Sequence, residues 1–477
     1  RIDATEIHRD KTLSDLARLQ QACTVEGRRA VTAALPQSAS AGMSAYAQGG
    51  NAFDAALAAC FVETVALPMK CGLAGDVIAL FRVRGGPVQT LFSVGAGAAS
   101  LASNTLEKLG PKSVGVPGAP DGYAALHRMA RLPLDRLVQP AVAAANNGVW
   151  WTRTALSYLP ESRELLQKWS PDCVYLAGPE PKVGDRLHLP GLGSLLEEFA
   201  RCGSELFFGA AGAQLVHELS ARGGFLREED LRVHPARIVA PRVTEFADGV
   251  RLYATPAPTH GGLLGEVLQR LLAGNEQQAT VVAEMRALAR AAGRDGRDPG
   301  TSLVTAADDE GNAVVVVHSN SFPRFGSGVV LSNGLVLANR PGRGFDLQAA
   351  PGSPNAPAPG KTPPTTLHAW ALENRHGLTF GGTPGGVNQL PWNVQSVAQL
   401  LQDCPLQEVV TSPRWSTDDS GKYSAEPGAA IDVAQFEVRM VAPLSNRSVQ
   451  QLMRIRPDGS LQAAADPRTN AQACAVY

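Results

Sequence analysis

The chain changes character at one place, and that place limits the folds open to it. Gly293-Arg-Asp-Gly-Arg-Asp-Pro-Gly300 is a polar octapeptide bounded by glycines, the composition of an exposed linker. Just before it, residues 279–292 are strong helix formers. Just after it, residues 302–307 and 312–319 are β-rich and flank Asp308-Asp309-Glu310-Gly311, which is a hairpin pattern. A second such pattern surrounds Asn333-Gly334 in residues 329–337. Upstream, Asn51 is a start signal for a buried, alanine-rich helix, and helical spacing recurs at 133–148, 193–201, 211–222 and 262–273. Downstream, a proline-dense stretch at 349–365 separates strand-rich residues 366–382 and 427–457. Helices before residue 293 and strands after it predict a layered α/β protein of αββα type. It would have a helix-rich segment 1–300 and a strand-rich segment 301–477, folded together as one domain.

With 477 residues, 44% of them hydrophobic and 18% charged, the chain can bury a large core. A formal net charge of −1 provides no field to draw it to nucleic acid or an anionic membrane. The seven cysteines are scattered and form no C-x-x-C pair, which predicts free thiols in a reducing compartment. Arg1-Ile2-Asp3-Ala4-Thr5-Glu6 lacks the apolar run of a signal peptide, and no uninterrupted apolar stretch reaches membrane-spanning length. The expectation is a cytoplasmic protein acting on a small molecule, without nucleic acid, membrane, metal or cofactor. Two motif scans are negative: Asn355 stands where a phosphate-binding loop ending at Lys361 needs its first glycine, and no G-x-S-x-G occurs.

Chemistry enters at the linker's end. Were the bond before Thr301 cut, one residue would carry both a hydroxyl and a free α-amine, so nucleophile and general base would be held together covalently. Taken alone, this segment reads more readily as a threonine that simply opens a hairpin strand.

Further motifs, in order along the chain, decide between these readings. Thr301-Ser302-x5-Asp308-x2-Gly311-Asn312-Ala313-Val314 resembles the nucleophile segment of gamma-glutamyltransferases. Gly49-Gly50-Asn51-Ala52-Phe53-Asp54-Ala55-Ala56 is similar to the family's GGNAxDAA helix start, and Gly72-Leu73-Ala74-Gly75-Asp76 to its glycine-rich segment. Gly115-Val116-Pro117-Gly118 with Gln139-Pro140-Ala141, the run from Pro359-Gly360-Lys361 to Thr365-Thr366, the turn Gly382-Thr383-Pro384-Gly385-Gly386 and the ending Ala465-Asp466-Pro467-Arg468 extend the likeness. The resemblance implies the αββα four-layer sandwich of N-terminal-nucleophile (Ntn) hydrolases. It also implies self-cleavage between Gly300 and Thr301 into an α/β heterodimer, with pairing of heterodimers as a further option. Thr301 would be the nucleophile, Ser319 the hydroxyl that supports its new amine, and Gly385 and Gly386 the N–H donors to the oxyanion. Asn320, with Ser321 as the alternative, and Thr365 and Thr366 would line the substrate pocket.

Departures from the family pattern bear on the substrate. No arginine occurs between Arg84 and Arg128, where the family keeps its carboxylate clamp. Where it keeps an acidic residue for an ammonium, this chain reads Asn339-Arg340-Pro341-Gly342-Arg343-Gly344-Phe345. Arg340 and Arg343 are therefore expected to recognise an anion. The implied reaction is removal of an anionic, oxalyl-like acyl group. Oxamate-type amidases resemble this subpattern, as does a C–C-cleaving branch from 4-alkyl-proline antibiotic pathways of the lincomycin and pyrrolobenzodiazepine type, which the unusual Pro68-Met69-Lys70-Cys71 also fits. Gamma-glutamyl hydrolysis or transpeptidation, and an unprocessed non-catalytic homologue, are the rival readings.

Overall fold

The computed structural model describes residues 24–102, 105–293, 300–418 and 420–477; linker residues 294–299 and the polar start at 1–6 lie outside the described residues. The hairpin after the linker is the centre of the fold. Thr301–Ala307 and Ala313–Ser319 pair antiparallel, from Thr301 opposite Ser319 to Ala307 opposite Ala313. Successive side chains on a strand point to opposite faces. Val314 and Val316 accordingly enter a core shared with helices, while Ala313, Val315 and Val317 enter a core shared with a second sheet. Burial on both faces explains why the strand reads as an unbroken apolar run rather than an alternating one.

Two seven-stranded sheets stack on each other. One runs, in spatial order, Gln472–Val476, Arg29–Ala33, Thr301–Ala307, Ala313–Ser319, Asp76–Arg82, Gln89–Ser93, Arg237–Val239. The other runs Thr24–Gly27, Leu461–Ala465, Gln451–Ile455, Gly377–Gly382, Trp370–Asn374, Arg251–Ala254, Arg242–Glu245. Helices Pro36–Ala47, Ala52–Ala66, Leu134–Asn147 and Pro190–Cys202 cover the outer face of the first. Gly261–Ala273, Gln278–Ala291, Gln389–Leu401 and Leu406–Thr411 cover the second, completing α, β, β and α layers.

Several of the sequence motifs prove to be fastenings. The Asn51 side chain accepts from Phe53 N and Asp54 N, and Asp54 returns a bond to Asn51 N, forming a capping box. Asp308 in the hairpin turn accepts from Ala52 N at 2.8 Å, which ties that helix to the hairpin. In the C-terminal motif, the Arg468 side chain is buried and bonded to Asp466 at 3.0 Å and Glu426 at 2.7 Å.

Helices concentrate before residue 293 and strands after it, yet each sheet draws strands from both sides of the linker. One expectation needs correction. The second hairpin around Asn333-Gly334 is only a turn closed by one bridge, Val330 to Val336.

Candidate active site

Thr301 opens its strand and is 1% exposed. The register sets Ser319 beside it and Asp76 beyond Ser319, so three polar side chains form a row at the edge of an apolar sheet. Ser319 is the hub of that row. Its Oγ donates to the Gly300 carbonyl at 2.5 Å and accepts from the Thr301 hydroxyl at 3.3 Å and from Ser321 N at 2.9 Å. In the uncut chain the carbonyl before Thr301 and the Thr301 hydroxyl thus meet on one side chain. Gly300 has φ +146°, and a Cβ on it would lie 2.0 Å from Ser321 O, so only glycine fits before the threonine.

A cavity of about 280 Å³ opens onto Thr301 and Gly300; Pro384, Gly385, Val387, Asn388 and Trp392 form one wall. Gly385 also has φ +146°, with a Cβ position 2.3 Å from the Trp392 ring. Gly386, at φ +59°, begins a 3₁₀ turn that runs into helix Gln389–Leu401. This glycine pair lies at the start of a helical segment, where backbone N–H groups point outward and favour negative charge.

Asn320, Thr365 and Thr366 do not line that cavity. Asn320 faces the loop after helix Ala52–Ala66: its N donates to Lys70 O at 2.8 Å and its Nδ2 to Pro68 O at 3.0 Å. Thr365 and Thr366 are fully buried. The Thr365 hydroxyl accepts from Arg340 at 3.2 Å, and the Thr366 carbonyl accepts from His368 Nδ1 at 2.7 Å. His368 Nε2 in turn accepts from Asn393, so the ring is neutral; burial pushes its pKa down to about 3.

The two arginines expected to recognise an anion have different surroundings. Arg340 is 1% exposed and forms a 2.6 Å ion pair with Asp76, so its charge is already matched inside the protein. Arg343 stacks on Phe322 and lines a larger cavity of about 560 Å³ together with Lys108, Arg286 and Arg290; this cavity shares Val387, Thr417 and Asp418 with the one at Thr301.

The cations that do line the Thr301 cavity are Lys70, Arg324 and Arg447, gathered around Tyr158. Sequence reasoning assigned none of them a role. It also passed over Gln389, whose Nε2 lies 3.5 Å from Thr301 Oγ1; the available signal was its place three residues after Gly386.

Glu63, Cys71 and His318 form a grouping of potential metal ligands among the described residues, buried behind the nucleophile strand. Both His318 ring nitrogens are engaged, one with Tyr123 at 2.7 Å and the other with Glu63 at 2.8 Å. Burial, and then the Glu63 charge, push the Cys71 thiol well up.

Comparison with known proteins supports this reading of the fold. The profile of the family described as Gamma-glutamyltranspeptidase matches residues 38–292 and 275–476. The oxamate amidohydrolase proenzyme of Klebsiella pneumoniae is 27% identical over 89% of this chain and 94% of its own length. The crystal structure of cephalosporin acylase from Bacillus halodurans superposes with a TM-score of 0.79 at 25% identity, covering 95% of this chain and 96% of that one. A structure of LmbA2991HD shares the fold, with a TM-score of 0.80 at 21% identity over 94% of this chain and 99% of that one.

Proposed function

From the premise that this chain belongs to the gamma-glutamyltranspeptidase family of Ntn hydrolases, we propose that it cuts itself before Thr301 and then uses Thr301 to hydrolyse a small acyl compound. The family is one of enzymes, and its members similar to this chain include amidohydrolase, acylase and glutathione hydrolase proenzymes.

The observation that carries the proposal is Ser319 Oγ, which touches both the Gly300 carbonyl oxygen and the Thr301 hydroxyl. In self-cleavage, Thr301 Oγ1 adds to the Gly300 carbonyl carbon while the Ser319 hydroxyl supports the developing oxyanion. The C–N bond breaks, nitrogen keeps its electron pair and takes up the proton given up by the Thr301 hydroxyl to become an amine, and water hydrolyses the resulting ester. Residues 301–477 then form the smaller fragment, with Thr301 at its head. In turnover, the new amine takes the hydroxyl proton as Oγ1 adds to the substrate's acyl carbon. Gly385 and Gly386 N–H groups meet the oxyanion, the leaving group departs with the amine's proton, and water releases the acid from the acyl-Thr301 ester.

The substrate reading is an anionic acyl group of oxalyl type. Likeness to an oxamate amidohydrolase proenzyme across most of both chains supports it, as does a cavity sized for a small molecule. The bond broken is an amide or, in the finer reading, the C–C bond that holds an oxalyl group to a vinylogous substrate. The deciding assay offers the purified protein oxamate and a carbon-linked oxalyl compound and quantifies oxalate. Oxalate from the carbon-linked compound supports C–C cleavage, oxalate from oxamate alone makes the protein an amidohydrolase, and none from either rejects the oxalyl reading. Turnover accelerated by a dipeptide acceptor would instead identify a transpeptidase. No helix among the described residues is long and apolar enough to cross a membrane.

A further inference from the structure

A buried charge normally has a partner, because removing it from water costs several kcal/mol. Lys70 departs from that rule. It lies in the loop between helix Ala52–Ala66 and strand Asp76–Arg82 and is 6% exposed, yet it lines the cavity at Thr301. Among the described residues, its ammonium has no ion pair or hydrogen bond and lies over the Tyr158 ring, 5.8 Å from its centre. The loop that carries it is held firmly, with Pro68, Met69 and Lys70 carbonyls accepting from Asn320 Nδ2, Phe325 N and Asn320 N at 2.8 to 3.0 Å. Lys70 is thus fixed at the cavity by its backbone.

Its neighbours add to the imbalance. Arg324 stacks on the Tyr158 ring at 4.1 Å, and its buried Nε has no hydrogen-bond partner. Arg324 and Arg447 both reach Glu161, at 3.0 and 3.3 Å, so one carboxylate is shared by two guanidinium groups. Asp418 also lines the cavity, with its Oδ1 engaged by Ser420 and by Lys422 N. Burial alone would raise the Tyr158 phenol's pKa; Lys70, Arg324 and Arg447 outweigh it and bring the pKa below the ordinary value.

We propose that Lys70, with Arg324 beside it, is the anion-recognition group of the Thr301 site, and that the substrate places a carboxylate at the Lys70 ammonium while its acyl carbon lies at Thr301 Oγ1. This rests on Thr301 being the nucleophile, and it names the substrate class for that site: a compact carboxylate small enough for about 280 Å³. It transfers to Lys70 the role that the sequence alone gave to Arg340 and Arg343. Lys70 is a specificity residue, since it engages the substrate at a distance from the bond that breaks.

The test is calorimetric binding of oxalate, with oxamide as the neutral isostere, to wild type, Lys70→Met and Lys70→Arg. Wild type should prefer oxalate, and Lys70→Met should weaken oxalate binding about thirtyfold or more without affecting oxamide, since removing one member of a buried charge pair is expensive. Lys70→Arg should retain most of the affinity. Oxalate binding to Lys70→Met within twofold of wild type overturns the proposal. So does wild type binding oxamide as well as oxalate, a result that does not depend on any variant folding. Binding needs no turnover, so the Thr301 reading can fail separately: a chain that binds oxalate through Lys70 but never cuts itself sinks the nucleophile and not the lysine.

Discussion

The two ends of strand Thr301–Ala307 are built on opposite principles. At the turn end, the Asp308 carboxylate accepts from Ala52 N, Glu310 N, Asn312 N and Asn312 Nδ2 within 3.2 Å, so both of its oxygens are in use. At the linker end, Thr301 Oγ1 has its partners at 3.3 and 3.5 Å beside an open cavity. Both ends belong to one continuous sequence motif, yet one fastens a hairpin to a helix and the other leaves a hydroxyl room to react. Saturated polar groups mark stability, and loosely satisfied ones beside a cavity mark chemistry.

Substitutions at the two ends should therefore fail in different ways. The largest effect is expected from Gly385→Ala on the cavity wall: its Cβ would meet the Trp392 ring at 2.3 Å, shifting the backbone donors and lowering turnover by about 10²–10³. A wild-type rate for this variant would remove Gly385 from the oxyanion role. Asp308→Ala should leave the Thr301 row in place but destabilise the fold by about 2 kcal/mol in a urea melt, as buried N–H groups lose a charged acceptor. An unchanged midpoint would contradict the assignment of that end to stability.

His368 checks whether saturation acts the same way in the other sheet's layer. The unfolded chain protonates this imidazole near pH 6.5, whereas the folded chain resists until about pH 3. Within that window the unfolded state binds more protons, so stability is lost as pH falls, with a slope approaching about 1.4 kcal/mol per pH unit from this group. Comparing the pH dependence of urea melts in wild type and His368→Asn isolates the contribution; identical slopes would mean that the ring is not held neutral. The smallest effect is Asn51→Ala, which removes a side-chain cap and should cost about 1 kcal/mol without altering turnover.

What was legible in the sequence was local. The Asn51 cap, the valine-rich hairpin and the positive-φ glycines all announce themselves within a few residues. Helix Arg153–Trp169 was hidden by Pro160 inside it, and helix Gln389–Leu401 by its start directly after a Pro-Gly-Gly turn. Charge recognition is hard to read from sequence for a different reason. Arg340 is matched by Asp76, 264 residues away, and Lys70 stands out because among the described residues it has no ion pair. A partner, or the lack of one, is a tertiary fact that no motif encodes.

The most direct test of the central claim is the intact mass, under denaturing conditions, of purified wild type beside Thr301→Ala. The account predicts two wild-type fragments divided between Gly300 and Thr301, and a single chain for the variant. A single uncut chain in both, or the same cut in both, would contradict it by removing the free amine of Thr301 or its hydroxyl from the mechanism.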